Sequence, residues 1–356
     1  MSDPSKLSAR YTTMVVAAIS LIVLTTVSFL VPVPYVTMSP GEPFNTLGKF
    51  DDKPMFTFGK DVKTYPTNGE LYFTTVSVRR ADNPLSLGEA MLAYLDSDRA
   101  VVPKDLIYPD NETAEQSTAE SAAQLASSKD SSRVAALRAA GYTVTGRPSV
   151  AGVVKGGAAE KLLKPGDVFT AVDGTKVTTP DQVVDAVGTH KPGDTVRLIV
   201  ERKGKSLEVP VVTRADPKDK KIPRIGITIG ETYTYPIKID NNVGRTIGGP
   251  SAGSMFALAI YDKLTPGSLT GGKKIAGTGE MTTDGTVGPI GGIRQKMTGA
   301  AERGVTIFLV PAANCAEATD GGDEGLKLVK VSKLKDAISS LEALAKDPKA
   351  TVPTCS

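Results

Sequence analysis

Tryptophan is absent from this chain, histidine occurs once and cysteine twice. Each scarcity removes a class of chemistry. One histidine and two cysteines cannot build the usual tetrahedral metal cage, so no metal site is expected. Aromatic residues are 5% and the net charge is only +3 over 356 residues, which leaves neither a stacking platform nor a basic surface for nucleic acid. A phosphate-binding loop is also missing. The nearest candidate is Gly204-Lys205-Ser206, but Ile199 stands where the first glycine is required, so neither ATP nor another cofactor is expected. A Ser-His-Asp enzyme would have to recruit His190, which lies just past a helical pattern and reads as a surface residue.

The remaining composition is that of an ordinary globular protein, 40% hydrophobic and 23% charged, at a length that suits two or three domains. The N-terminus departs from it. Thr12 to Val31 carries no charge over 20 residues. At about 1.5 Å per residue a helix of that length reaches about 30 Å, the thickness of a bilayer core. A cleaved signal peptide is the competing reading, but such a core is shorter and ends in a small-x-small site, whereas this run ends Ser28-Phe29-Leu30-Val31-Pro32. The reading is a tail over 1–11 and a transmembrane helix over 12–34. Lys6 and Arg10 precede the span and no Lys or Arg follows it before Leu47, which places the tail in the cytoplasm and the rest outside.

From 35 to 137 the pattern is ordered. Gly69 to Val78 is rich in β-branched and aromatic residues and reads as a strand. Ser86 to Leu95 is amphipathic, with Leu87, Ala90, Met91 and Tyr94 on one face. Ser117 to Ala139 is Ser- and Ala-rich, and its alanines and leucines favour helix over a flexible linker.

Residues 138–214 form a unit with strong turn punctuation. Val150–Val154 and Val168–Val172 read as short strands, and Asp194–Val200 and Ser206–Val212 as a pair around Lys203-Gly204. Between them Thr179-Pro180 is an N-cap followed by proline at the first helical position. This order, with Lys164-Pro165-Gly166-Asp167 and Val172-Asp173-Gly174, resembles a PDZ domain. The resemblance implies peptide capture at a sheet edge, with the carboxylate loop at Gly141, Tyr142, Thr143 and Val144, or else a spacer that binds nothing.

The most informative residues come later. Gly248-Gly249-Pro250-Ser251-Ala252-Gly253 offers a serine on a tight turn at the start of a helix read over Ser251–Lys263. Gly291-Gly292-Ile293-Arg294-Gln295-Lys296 offers a lysine in the first turn of another helix. A hydroxyl and a neutral amine make a complete hydrolytic pair. Ser251 could equally be an ordinary N-cap. Lys296 is badly placed for a surface charge, because the dipole at a helix N-terminus repels cations, and burial there would favour the neutral amine. With Gly277-Thr278-Gly279-Glu280 between them, the motifs resemble, in order, those of the Lon family's proteolytic domain over roughly 222–345. That resemblance implies Ser251 as nucleophile, Lys296 as base, Thr278 orienting the lysine, and Gly249 and Pro250 shaping the turn. It also implies a homo-oligomer, with a hexamer as one form, and a leading segment packed on the catalytic domain. Many members carry an acidic residue before Gly-Pro-Ser, where this chain has Gly248.

Cys315 and Cys355, the latter in a tail over 346–356, suit one disulfide outside the cytoplasm or two separate thiols. The sequence therefore describes an α+β protein with an N-terminal transmembrane helix, a PDZ domain and a Lon-type proteolytic domain. The expected activity is ATP-independent serine endopeptidase action on unfolded or flexible proteins. The alternative is an anchored PDZ scaffold or holdase with an inactive protease fold.

Overall fold

The computed structural model describes residues 9–80, 82–108, 113–244, 246–320 and 322–355. Lys6 and the side chain of Arg10 lie outside the described residues, and with them the charge argument for orientation. The chain divides into two compact units, one of 1–141 with 237–356 and one of 142–236.

The first unit opens with helix α1 (Ala9–Ser28). Its Tyr11–Ser28 window has a mean hydropathy of 1.8 and buries none of its residues in the protein, so the helix is long and apolar enough to cross a membrane. Next come β1 (Tyr35–Pro40), β2 (Phe44–Asn45), β3 (Glu70–Phe73), β4 (Val76–Val78), α2 (Leu87–Tyr94), β5 (Ala100–Pro103) and the 26-residue helix α3 (Ala114–Ala139). The strand expected over Gly69–Val78 is two strands in two sheets. Between them lies Thr74, which is buried and whose Oγ1 donates to the Gly277 carbonyl at 3.3 Å. β4 is an outer strand of the small sheet β5-β1-β4.

Helix α2 forms where expected, held by a capping box between Ser86 and Glu89. Its orientation is the reverse of an ordinary amphipathic helix. Gly88, Ala90 and Ala93 are buried, while Leu87, Met91 and Tyr94 face outward. Small residues win the inner face because the contact is close: a Cβ on Gly88 would lie 2.9 Å from the Phe29 ring.

The second unit holds β6 (Thr145–Val153), β7 (Val168–Val172), α4 (Pro180–Gly188), β8 (Thr195–Arg202), β9 (Lys205–Val212) and β10 (Ile227–Thr234). They form an antiparallel sheet in the order β9-β8-β7-β6-β10 over a core that includes Val150, Phe169, Val183 and Leu198. Thr179 caps α4 as its sequence indicates, accepting from the Gln182 N–H at 3.3 Å. β10 falls inside the span of roughly 222–345 over which the later motifs resemble a Lon-type domain. Ile229 pairs with Val150 and Ile225 is buried in this unit's core, so the strand belongs here.

The chain then returns to the first unit with α5 (Gly253–Leu264), β11 (Lys274–Gly277), α6 (Ile293–Glu302), β12 (Ile307–Pro311), β13 (Lys327–Val331) and α7 (Leu334–Lys346). Its principal sheet runs β13-β12-β11-β3-β2, with the first four strands parallel and β2 antiparallel at the edge. All five residues of β12 are buried, the continuous apolar run of a parallel strand covered on both faces. α5 is buried along almost its whole length, and Phe256 meets Phe73 and Phe56 edge to face. Because β2 and β3 come from the leading segment, that segment and residues 237–356 share one sheet.

Candidate active site

Ser251 stands before a helix rather than in its first turn. α5 begins at Gly253, and its cap, Ala252, makes no side-chain cap bond. Ser251 is held in the preceding turn because its carbonyl belongs to the end of β11. The Gly279 N–H donates to it at 2.8 Å and Thr278 Oγ1 at 3.0 Å. The turn depends on its glycines. Gly249 has a φ of +81°, in the left-handed region, and a Cβ on Gly248 would come 2.9 Å from Ser121 Cβ.

That neighbour sits on α3, which clamps the turn along one face. The Gly249 N–H donates to the Ser121 carbonyl at 3.0 Å, Ser128 Oγ to the Pro250 carbonyl at 2.9 Å, and Ser132 Oγ to the Gly253 carbonyl at 2.8 Å. Sequence reasoning recognised the helix but missed these contacts. The spacing of Ser121, Ser128 and Ser132 was the available signal, since intervals of seven and four return to one helical face.

Lys296 lies one turn into α6, its N–H bonded to the Gly292 carbonyl at 3.1 Å. It is only 2% exposed. Its Nζ donates to Thr278 Oγ1 at 3.1 Å, and among the described residues no carboxylate pairs with it. Burial brings the amine down to about 8, against a smaller opposing pull from Glu280. Ser251, Ala252 and Lys296 line one cavity of about 350 Å³ together with Thr74–Ser77. No hydrogen bond joins Ser251 Oγ to Lys296 Nζ; the two share a cavity and, through Thr278, a hydrogen-bonded support. Among the described residues the N–H groups of Ser251 and Ala252 have no acceptor, which leaves two donors beside the hydroxyl.

The cavity continues past β4. A second hollow of about 370 Å³ shares Val76 and Gly248 with the first. The flanking bonds, Gly41 N–H to the Thr75 carbonyl and Arg79 N–H to the Thr37 carbonyl, turn the odd-numbered residues toward β1. The backbone N–H and C=O of Val76 and Val78 therefore point from the sheet edge toward these hollows.

Residues 236–344 match the family model of the Lon protease (S16) C-terminal proteolytic domain, and residues 123–213 match that of the PDZ domain. The chain carries a Lon-type proteolytic domain and a PDZ domain. It is 30% identical over 156 residues to the Lon protease of Phenylobacterium zucineum, covering 43% of this chain and 19% of that protein. It is 26% identical over 167 residues to the Lon protease of Endomicrobium trichonymphae, covering 42% and 21%. The chain thus spans about a fifth of the length of these curated relatives. Among solved structures, the PDZ domain of the SdrC-like protein from Listeria monocytogenes is 28% identical, with 23% of this chain and 86% of that one covered and a TM-score of 0.22. The Lon-type match includes Ser251, Thr278 and Lys296 but excludes β2 and β3, which complete the principal sheet, and β4, which lines the cavity with them.

In the PDZ unit, Tyr142, Thr143 and Val144 directly precede β6; Thr143 is exposed and Val144 buried. PDZ peptides join a sheet edge beside a helix. Here β6 has β7 on one side and β10 on the other, so the edge following these residues is already filled by the chain itself. His190 lies in this unit, its Nε2 3.2 Å from Asp173 Oδ2. Cys315 and Cys355 are joined, with Cα atoms 5.1 Å apart.

Proposed function

We propose that this chain is an ATP-independent serine endopeptidase that works through Ser251 and Lys296. The observation that carries the proposal is the environment of Lys296: a buried amine that pairs with no carboxylate among the described residues, tied to Thr278 Oγ1, in the cavity that also holds Ser251. Such an amine is neutral over an accessible pH range and can take the Ser251 proton. The Ser251 oxygen then attacks the scissile carbonyl, and the free N–H groups of Ser251 and Ala252 stabilise the oxyanion. Lys296 returns the proton to the leaving amine, and water releases the acyl group by the same route.

The exposed backbone of Val76 and Val78 suits a substrate in extended form, laid beside β4 as an added strand. Only a flexible or unfolded segment can adopt that shape, which fits hydrolysis without nucleotide. The apolar α1 supports a single-pass membrane anchor, and the extracytoplasmic placement of the catalytic domain rests on Lys6 and Arg10 ahead of the span with no Lys or Arg between Val33 and Leu47. The PDZ unit is assigned to substrate recruitment or gating, and the working form is a homo-oligomer.

The deciding experiment is labelling of the purified protein by a serine-directed phosphonate, combined with hydrolysis of an unstructured fluorogenic peptide without nucleotide. Labelling and turnover that vanish together in Ser251→Ala support the reading. A parent protein that is folded, unlabelled and inactive would leave the scaffold or holdase reading in its place. For topology, protease added outside intact cells should digest the chain beyond Tyr35, and full protection until lysis would reject the orientation.

A further inference from the structure

The outward face of α2 is apolar. Leu87, Met91, Tyr94 and Leu95 follow a spacing of four, three and one, which keeps them on a single side of the helix. Met91 is 58% exposed, Tyr94 80% and Leu95 81%. Large side chains crowded on the solvent side of a short helix, with glycine and alanine on its inner side, mark a surface that meets something apolar.

The position of α2 indicates what that is. The Leu87 N–H donates to the Val31 carbonyl at 2.8 Å, and Pro32–Val33 pairs with Leu85–Ser86. Phe29 packs over Gly88. The start of α2 is thus fastened to the last apolar residues after α1, where a membrane-spanning helix leaves the hydrocarbon. The stripe is continuous with that exit, since Phe29, Leu30 and Val31 are themselves exposed.

We propose that α2 lies on the lipid surface, with Met91, Tyr94 and Leu95 seated at the boundary between headgroups and acyl chains as a second membrane contact beside the anchor. A short helix with an apolar face and Tyr at its end suits that interface. Two contacts at one exit restrict how the catalytic unit can tilt over the bilayer, and a single flexible tether would not. The inference rests on α1 being a membrane anchor.

The absence of tryptophan makes the test direct. Single-Trp variants Tyr94→Trp, Leu95→Trp, Ile22→Trp and Lys335→Trp of the full chain are reconstituted into phosphatidylcholine vesicles, with or without dibrominated phosphatidylcholine. The expected result is a blue-shifted emission and strong bromolipid quenching at 94 and 95, comparable with Ile22→Trp in the anchor, and none at Lys335→Trp on exposed α7 surface. Quenching at 22 without quenching at 94 or 95 overturns the proposal and leaves the anchor standing. Loss of quenching at all sites overturns both. A blue shift at 94 and 95 without quenching would assign the stripe to a second copy of the chain and also overturn the proposal.

Discussion

Thr278 Oγ1 stands between the Lys296 amine and the backbone carbonyl of Ser251, 3.1 Å from one and 3.0 Å from the other. Its single proton goes to the carbonyl, so it can only accept from Lys296. One N–H of the amine is thereby fixed. Thr278→Val keeps the shape and removes the acceptor. Turnover should fall roughly tenfold or more, up to the ~10²–10⁴ that a positioned acid–base group itself contributes, and KM should change little. Steady-state kinetics on an unstructured peptide check this, and Thr278→Ser should restore most of the rate. Equal rates for Val and Thr would remove Thr278 from the machinery.

The pH profile follows from the buried amine. Protonated Lys296 cannot accept the Ser251 proton, so kcat/KM should be low in mild acid, rise through about 8 and then level off. An unperturbed lysine would place the rise near about 10.4. A profile that is flat between these limits would exclude Lys296 as the base.

Stability depends on the same amine, and removing it should separate stability from activity. The folded pKa of Lys296 lies below its unfolded value, so between about 8 and the ordinary lysine range the unfolded chain binds more protons and stability rises with pH. Below about 8 the fold carries the full cost of a buried cation. Lys296→Met should therefore abolish hydrolysis yet raise stability at neutral pH by roughly 2 kcal/mol, an advantage that shrinks as pH climbs toward 10. Denaturant titrations of both proteins across that range measure it; a less stable Met variant at pH 7 would contradict it.

The Cys315–Cys355 bond closes a loop with a sequence separation of 40. Chain-entropy estimates give such a loop about 3 to 4 kcal/mol, with less delivered in many proteins. The tail it retains also pairs with β13, where the Cys355 N–H donates to the Leu328 carbonyl at 3.2 Å and the Lys330 N–H to the Pro353 carbonyl at 3.0 Å. Cys355→Ser should lower the thermal midpoint and speed amide exchange along β13. Mass spectrometry of the parent from its native compartment should find no free thiol.

The sequence was most legible where chemistry and local geometry coincide. The glycine turns around Ser251 and Lys296, the cap at Thr179 and the apolar run of β12 are encoded within a few residues each. What escaped depends on distant partners. Ser251 leaves the helix because Thr278 and Gly279 claim its carbonyl. The outward turn of Met91 follows from Phe29 pressing on Gly88. Ile225 joined the PDZ unit because its burial partners lie some seventy residues earlier. Periodicity reports that a face is apolar; it does not report which side of the helix the rest of the chain will occupy.

The strand β10 has a thermodynamic consequence for any peptide offered to the PDZ unit. It occupies the side of β6 away from β7 as part of the same chain, at an effective concentration that for short tethers is on the order of millimolar. A free peptide must outcompete that internal rival before it gains a single ladder bond, so weak ligands would leave the unit unchanged. A strong one would release residues 227–234, but the freed length would end at Ile239–Asn241, whose pairing with Phe56–Phe58 holds the chain ahead of Gly248.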